Sequence, residues 1–228
     1  MTREIVLDTE TTGLDPASGH RVVEIACLEL ANHLPTGQQF QRYINPERDM
    51  PDEAFAVHGL SAEFLAQYPA FTAVADEFLA FIGDAPLVIH NAEFDLRFLN
   101  AELGRIGRGP LGSDRAIDTV RLARRRFPGS PASLDALCRR FSIDNAARTK
   151  HGALLDTELL AEVYLELLGG REPGLVLALD ATKAESAVGP ALYAGRVPVA
   201  HAPSEAERAA HAAFIAKLKN PIWASDQA

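Results

Sequence analysis

Up to Ile44 the apolar residues of this chain come in β-type runs, and from Pro51 onward they recur at helical spacing. That change of period fixes the class of fold. Glu4 to Glu10, Val22 to Leu30 and Gln39 to Ile44 read as strands. Asp52 to Val57, Ala62 to Gln67 and Thr72 to Ile82 then read as helices, punctuated by Gly59, Pro69 and Gly83. Two further short strands are expected at Leu87 to His90 and Ala116 to Thr119. Helices are expected at Ala92 to Leu103, Val120 to Arg126, Ser133 to Phe141 and Ala153 to Leu168. Strands that first follow one another and then alternate with helices imply an α/β fold, a mixed five-stranded sheet with both faces covered by helices.

Gly169-Gly170 ends this domain, so residues 1–170 are expected to fold as one unit. Residues 171–203 show no period and hold four prolines and three glycines, the composition of a flexible linker. Ser204-Glu205-Ala206-Glu207 has the form of a capping box and opens a helix to about Lys219. Phe214, Ile215 and Leu218 share one side of that helix, and Ile222 and Trp223 follow it. An apolar segment at the end of a tether, residues 204–228, suits a docking tail.

Composition narrows the classes. With 228 residues, 47% of them hydrophobic, the chain can bury a full-sized core. It enters Ile5-Val6-Leu7 with no basic leader, and no apolar run reaches the ~18 residues of a membrane span, so a soluble cytoplasmic protein without membrane attachment is expected. Cys27 and Cys138 stand far apart, as reduced core thiols do. A net charge of −9 excludes gripping nucleic acid by charge alone. Between Arg115 and Lys150, however, nine Lys or Arg face three Asp, which favours a phosphate-facing flank.

Three strings carry the chemistry: Asp8-Thr9-Glu10-Thr11-Thr12-Gly13, His90-Asn91-Ala92-Glu93-Phe94-Asp95, and His151-Gly152-Ala153-Leu154-Leu155-Asp156. Residues two apart in a strand face one side, so Asp8 and Glu10 project together at the end of an apolar run. Thr11, Thr12 and Gly13 add hydroxyl and N–H groups, with room for a phosphate or a sugar to approach. Asp95 lies three and four residues from Phe98 and Leu99, and Asp156 lies three, four and seven from Leu159, Leu160 and Val163. Both acids therefore sit beside inward-facing stripes. Carboxylates sharing a small volume repel one another, and divalent cations are the usual way to hold them together. A histidine five residues before Asp156 can take a proton from water near neutral pH.

The three strings together resemble the DEDDh family of 3′–5′ exonucleases, matching at Asp8, Glu10, Asp95, His151 and Asp156. Within it the chain is similar to the proofreading subunits of bacterial DNA polymerase III, through Glu53-Ala54-Phe55-Ala56-Val57-His58-Gly59, Val88-Ile89-His90-Asn91 and Ser133-Leu134-Asp135-Ala136-Leu137-Cys138 as well. The resemblance covers about residues 4 to 170. It implies a ribonuclease H-like fold, two Mg²⁺ or Mn²⁺ ions, and release of nucleoside 5′-monophosphates from mispaired DNA 3′ ends. It places Asp8, Glu10, Asp95 and Asp156 as metal ligands and His151 as the general base. Glu53 and His58 would contact the terminal nucleotide, Leu14 and Phe94 its base, and Thr11, Gly13 and Asn91 would complete the substrate-binding set. The implied partner of residues 204–228 is the catalytic alpha subunit of the polymerase. The segment Arg171-Glu172-Pro173-Gly174-Leu175-Val176-Leu177 lacks the Gln that usually opens a sliding-clamp peptide in this family, so clamp binding is not expected. Two other readings stay open: a relative that trims RNA 3′ ends with the same five residues, and a catalytically silent structural subunit.

Overall fold

The computed structural model describes residues 2–146, 151–170 and 202–217. Its strands are β1 (Arg3–Thr11), β2 (Val22–Ala31), β3 (Leu34–Tyr43), β4 (Leu87–Ile89) and β5 (Ala116–Asp118). They form one sheet in the order β3-β2-β1-β4-β5. The first three strands are antiparallel, while β4 runs parallel to both β1 and β5. The sheet is therefore mixed, as the change of period predicts. β3 begins at Leu34 rather than Gln39, because Leu34 to Gln39 form an exposed edge that no core pattern needs to mark. Asn32 and His33, both at positive φ, make the tight turn that joins β2 to β3.

Around the sheet stand α1 (Asp52–His58), α2 (Ala62–Leu65), α3 (Phe71–Ile82), α4 (Ala92–Arg105), α5 (Thr119–Arg126), α6 (Leu134–Phe141) and α7 (Ala153–Leu168). Strand alternation divides the core in two. Ile5 and Leu7 of β1, with Ile25, Leu87 and Ile89, pack against Phe71 and Phe78 of α3 and Phe98 and Leu99 of α4. Val6, Leu30 and Val88 face the other way, toward Leu137 of α6 and Leu160 and Val163 of α7. Cys27 and Cys138 are buried free thiols, as expected. A fully buried leucine, isoleucine or phenylalanine contributes about 1.5–3 kcal/mol, so this double-sided core dominates the stability of the fold.

One buried ion-pair cluster locks α4 to the sheet. The Arg21 guanidinium donates twice to Glu102, at 2.6 and 2.8 Å, and Arg105 donates to the same carboxylate at 2.9 Å. One backbone bond and one bond to a side chain tie Arg21 to Thr12 (Thr12 N–H to Arg21 C=O, 2.9 Å; Arg21 N–H to Thr12 Oγ1, 3.0 Å). Through that pair the loop from Thr12 to Arg21 is anchored at both ends.

Residues 202–217 belong to a second compact unit and contain α8 (Glu205–Ile215). Ser204 and Glu207 form the reciprocal capping box read from the sequence. Phe214 is 59% exposed. The greater part of the expected linker, residues 171–201, lies outside the described residues, and so do Leu218, Lys219, Ile222 and Trp223. Among the described residues no helix is long and apolar enough to cross a membrane.

Candidate metal centre and nucleotide cleft

The expected acids meet at the carboxyl end of β1, where helices approach from both faces of the sheet. Asp8 and Glu10 point to the face covered by α7, and that helix brings Asp156 to them from its first turn. Asp95 arrives from the opposite face, on the first turn of α4. It reaches the strand through Thr9, the residue between the two acids. Thr9 N–H and Oγ1 both donate to Asp95 Oδ1, at 3.0 and 2.7 Å. A helix N-terminus favours an acid in its first turn, so both helices hold their carboxylates in a favourable place.

Asp8, Glu10, Asp95, His151 and Asp156 line one cavity of about 300 Å³, together with His90, Phe94, Ser133 and Asp135. His151 is half exposed, and its Nδ1 lies 3.3 Å from Asp156 Oδ2. Its backbone N–H donates to Val57 C=O at 3.2 Å, which fixes the chain where the ring meets Asp156. Ligand atoms of Glu10, His151 and Asp156 all lie within 4.8 Å of one another.

The electrostatics are those of acids crowded together away from water. Asp8 keeps some surface toward the cavity but is ringed by protein atoms. Desolvation, followed by the charges of Asp95, Glu10, Asp156 and Glu24, holds its carboxyl well above the usual range. Burial pushes Asp95 up to about 7 even though the two bonds from Thr9 oppose the shift. Carboxylate oxygens converging with one imidazole suit hard divalent cations, and a bound cation would reverse both shifts. On that chemistry the residues present fit a divalent metal.

A larger cleft of about 680 Å³ adjoins the cavity and shares Thr9, Glu10 and Phe94 with it. Thr11, Gly13, Leu14, Glu53 and His58 line this cleft, so most of the expected substrate-facing residues come together there. Leu14 is 79% exposed and forms an apolar lip with Phe94. His58 Nδ1 accepts from Leu60 N–H at 3.0 Å, which leaves the proton of the neutral ring on Nε2. A Cβ at position 13 would meet the His20 ring at 2.4 Å, so a larger residue there requires that ring to move. Asn91 departs from the expected set. It sits in neither cavity but beyond His90, at φ 69° in the left-handed region that asparagine tolerates better than most residues.

Two contributors escape sequence reasoning. His90 lines the acid cavity with Nδ1 held 2.9 Å from Thr119 Oγ1. Glu24 lies on β2 directly opposite Glu10 and is 3% exposed. Its Oε2 accepts from Ala153 N–H at 3.2 Å and its Oε1 from Gln41 Nε2 at 2.7 Å. Gly152, at the N-cap of α7, offers no side chain, so Glu24 caps this helix from across the sheet and steadies the turn that carries His151 and Asp156. A lone acid inside the apolar run Val22-Val23-Glu24-Ile25-Ala26 was the available signal.

Comparison with known proteins identifies the family. The family model for exonucleases of the RNase T type matches residues 5–164. The DNA polymerase III subunit epsilon of Rickettsia felis is 57% identical over 173 residues, covering 75% of this chain and 76% of that one. The subunit of the same name from Escherichia coli K12 is 47% identical over 178 residues, covering 75% and 73%. Among solved structures, Exonuclease X in complex with 5′ overhanging duplex DNA superposes with a TM-score of 0.57 at 26% identity, over 74% of this chain and 91% of that one. The nuclease domain of 3′hExo, a DEDDh family member bound to rAMP, shares the fold with a TM-score of 0.63 at 19% identity, over 73% and 91%. With a matching family model over most of its length and relatives of this similarity, the chain belongs to the RNase T-type exonuclease family.

Proposed function

We propose that this chain is a 3′–5′ exonuclease that removes mispaired 3′-terminal nucleotides from DNA as 5′-monophosphates within a bacterial replicase. The observation that carries the proposal is the convergence of Asp8, Glu10, Asp95, His151 and Asp156 on one cavity that opens into a nucleotide-sized cleft. Asp8, Glu10 and Asp156, with Asp95 on the other side of the strand, would hold two divalent cations, Mg²⁺ or Mn²⁺. When bound, the cations supply positive charge that acidifies the attacking water and stabilises the leaving 3′-oxygen.

The chain's own residues do the rest. The cleft takes the terminal nucleotide, with Leu14 and Phe94 against its base and Glu53 and His58 at its sugar. That placement aligns the scissile phosphate with the acids, which is the larger part of what a phosphodiesterase must achieve. His151 accepts the proton of the attacking water, and its contact with Asp156 orients the ring and stabilises the imidazolium that forms. The exposed Phe214 of α8 supports a docking role for residues 204–228, with the alpha subunit of the polymerase as its partner.

Digestion of a 5′-labelled primer with a 3′ mismatch tests the reading. It predicts Mg²⁺-dependent shortening from the 3′ end, single nucleoside 5′-monophosphates as product, and faster removal of mismatched than of paired termini. Preference for an RNA 3′ end over the mismatched DNA would replace proofreading by RNA trimming.

A further inference from the structure

The basic stretch from Arg115 to Lys150 does not act as one flank. Arg115 donates to the carbonyls of Gly83 and Ala85 at 2.6 and 2.9 Å, and Arg126 to those of Glu166 and Leu167 at 2.7 and 2.6 Å. Arg140 lies over the Phe127 ring, 4.4 Å from its centre. These three hold elements together. Arg148 and Lys150 lie outside the described residues. Arg121 and Arg124 differ. Both are exposed on α5, and among the described residues their guanidinium groups have no hydrogen bond or ion pair.

What those two arginines line is a hollow of about 670 Å³ beside the acid cavity. His90 and Ser133 belong to both spaces and form the passage between them. A second hollow of about 580 Å³ continues past Arg121 and Arg124 to Arg125. The terminal-nucleotide cleft joins the acid cavity elsewhere, through Thr9, Glu10 and Phe94. A strand whose last nucleotide fills the cleft, and whose scissile phosphate lies at the acids, therefore has the hollow as its way out. Two acids also line that route. Asp118 is engaged as the N-cap of α5, its Oδ1 accepting from Val120 N–H at 2.8 Å and Arg121 N–H at 3.3 Å, while Glu93 is exposed in the first turn of α4. The charge thus changes from negative at the catalytic end to positive at α5, the order a phosphate chain leaving a metal centre requires.

We infer that Arg121 and Arg124 clamp the sugar–phosphate backbone of a single strand on the 5′ side of the scissile phosphate. The inference rests on the exonuclease reading above and adds to it a strand-binding site separate from the chemistry. Strand length should then matter to this protein in a way that a mononucleotide ester, with no backbone beyond its one diester, cannot report.

The experiment uses Arg121→Glu, Arg124→Glu and, as a charge-matched control outside the hollows, Arg139→Glu. Two readouts are taken on the full chain: the ratio of kcat/KM for an eight-nucleotide strand to kcat/KM for the nitrophenyl ester of thymidine 5′-monophosphate, and anisotropy of the labelled strand in EDTA across a salt series. Each hollow variant should lower the ratio at least tenfold, and its log–log salt slope should shrink by about 0.7, the value of one lost phosphate contact on a single strand. Arg139→Glu should leave the ratio within about twofold. An unchanged ratio in the hollow variants, or an equal fall in Arg139→Glu, would overturn the clamp. If the wild-type chain turned over neither substrate yet bound the strand through these two arginines, the clamp would stand and the hydrolase reading would fall.

Discussion

Glu102 and Asp8 are carboxylates placed deep in the same domain, and the protein treats them in opposite ways. Glu102, 1% exposed, receives three bonds from Arg21 and Arg105, so its charge is neutralised where it stands. Asp8 has Asp95, Glu10, Asp156 and Glu24 for electrostatic neighbours, and every one of them raises its pKa. A buried acid with matched cations is a structural joint. A desolvated acid surrounded by other acids favours a proton or a cation, and the sheet and helices bring those acids together. Function sits at the second arrangement, because folding alone would have no reason to keep it.

Four substitutions separate the two kinds of carboxylate. Asp8→Asn has the largest expected effect: exonuclease activity is lost, exceeding the loss from removing the base, and calorimetry with Mn²⁺ shows weakened binding. His151→Gln comes next, with kcat lower by ~10²–10⁴ and Mn²⁺ binding retained in the same titration. Glu102→Gln acts on the other side of the comparison. It costs stability toward the low end of the ~3–5 kcal/mol for a broken buried pair, since Arg21 keeps some access to water, and urea unfolding measures it. The smallest change is Glu24→Ala. It uncaps Ala153 N–H and slows turnover by about tenfold, ~1.4 kcal/mol in the barrier, while Glu24→Gln, whose amide oxygen still accepts that bond, recovers most of the rate in steady-state kinetics.

Most of the acid cavity was legible because each of its members breaks a pattern. Asp8 and Glu10 end an apolar strand in phase with each other, while Asp95 and Asp156 interrupt apolar helix faces. The partners of these residues were harder to see. Thr9 looks like a spacer, yet its hydroxyl and N–H hold Asp95 from the far face of the sheet, a contact across 86 positions that no local period encodes. Glu102 was illegible for a related reason, since its arginine lies at the start of β2 and only the packing of α4 joins them. The edge start of β3 is not legible in the sequence because exposed strand residues carry no hydrophobic signal. Asn91 stood in the right string but faces the hollow beyond His90, since the left-handed turn at its own backbone carries it past the acids.

The acids gathered around Asp8 make the cluster favour a proton or a cation, and thermal melting across pH tests that claim. Asp8 and Asp95 have folded-state pKa values above those of the unfolded chain, so the native state holds the extra protons. Their stabilising protonation is complete below the unfolded value and is lost as the pH rises through the folded value, about 7 for Asp95. In EDTA the melting temperature should therefore be lower at pH 8.5 than at pH 6, and saturating Mn²⁺ should raise it more at pH 8.5 than at pH 6. Asp8→Asn should shrink both differences. A metal-free chain as stable at pH 8.5 as at pH 6, with no greater gain from Mn²⁺ at the higher pH, would contradict the claim.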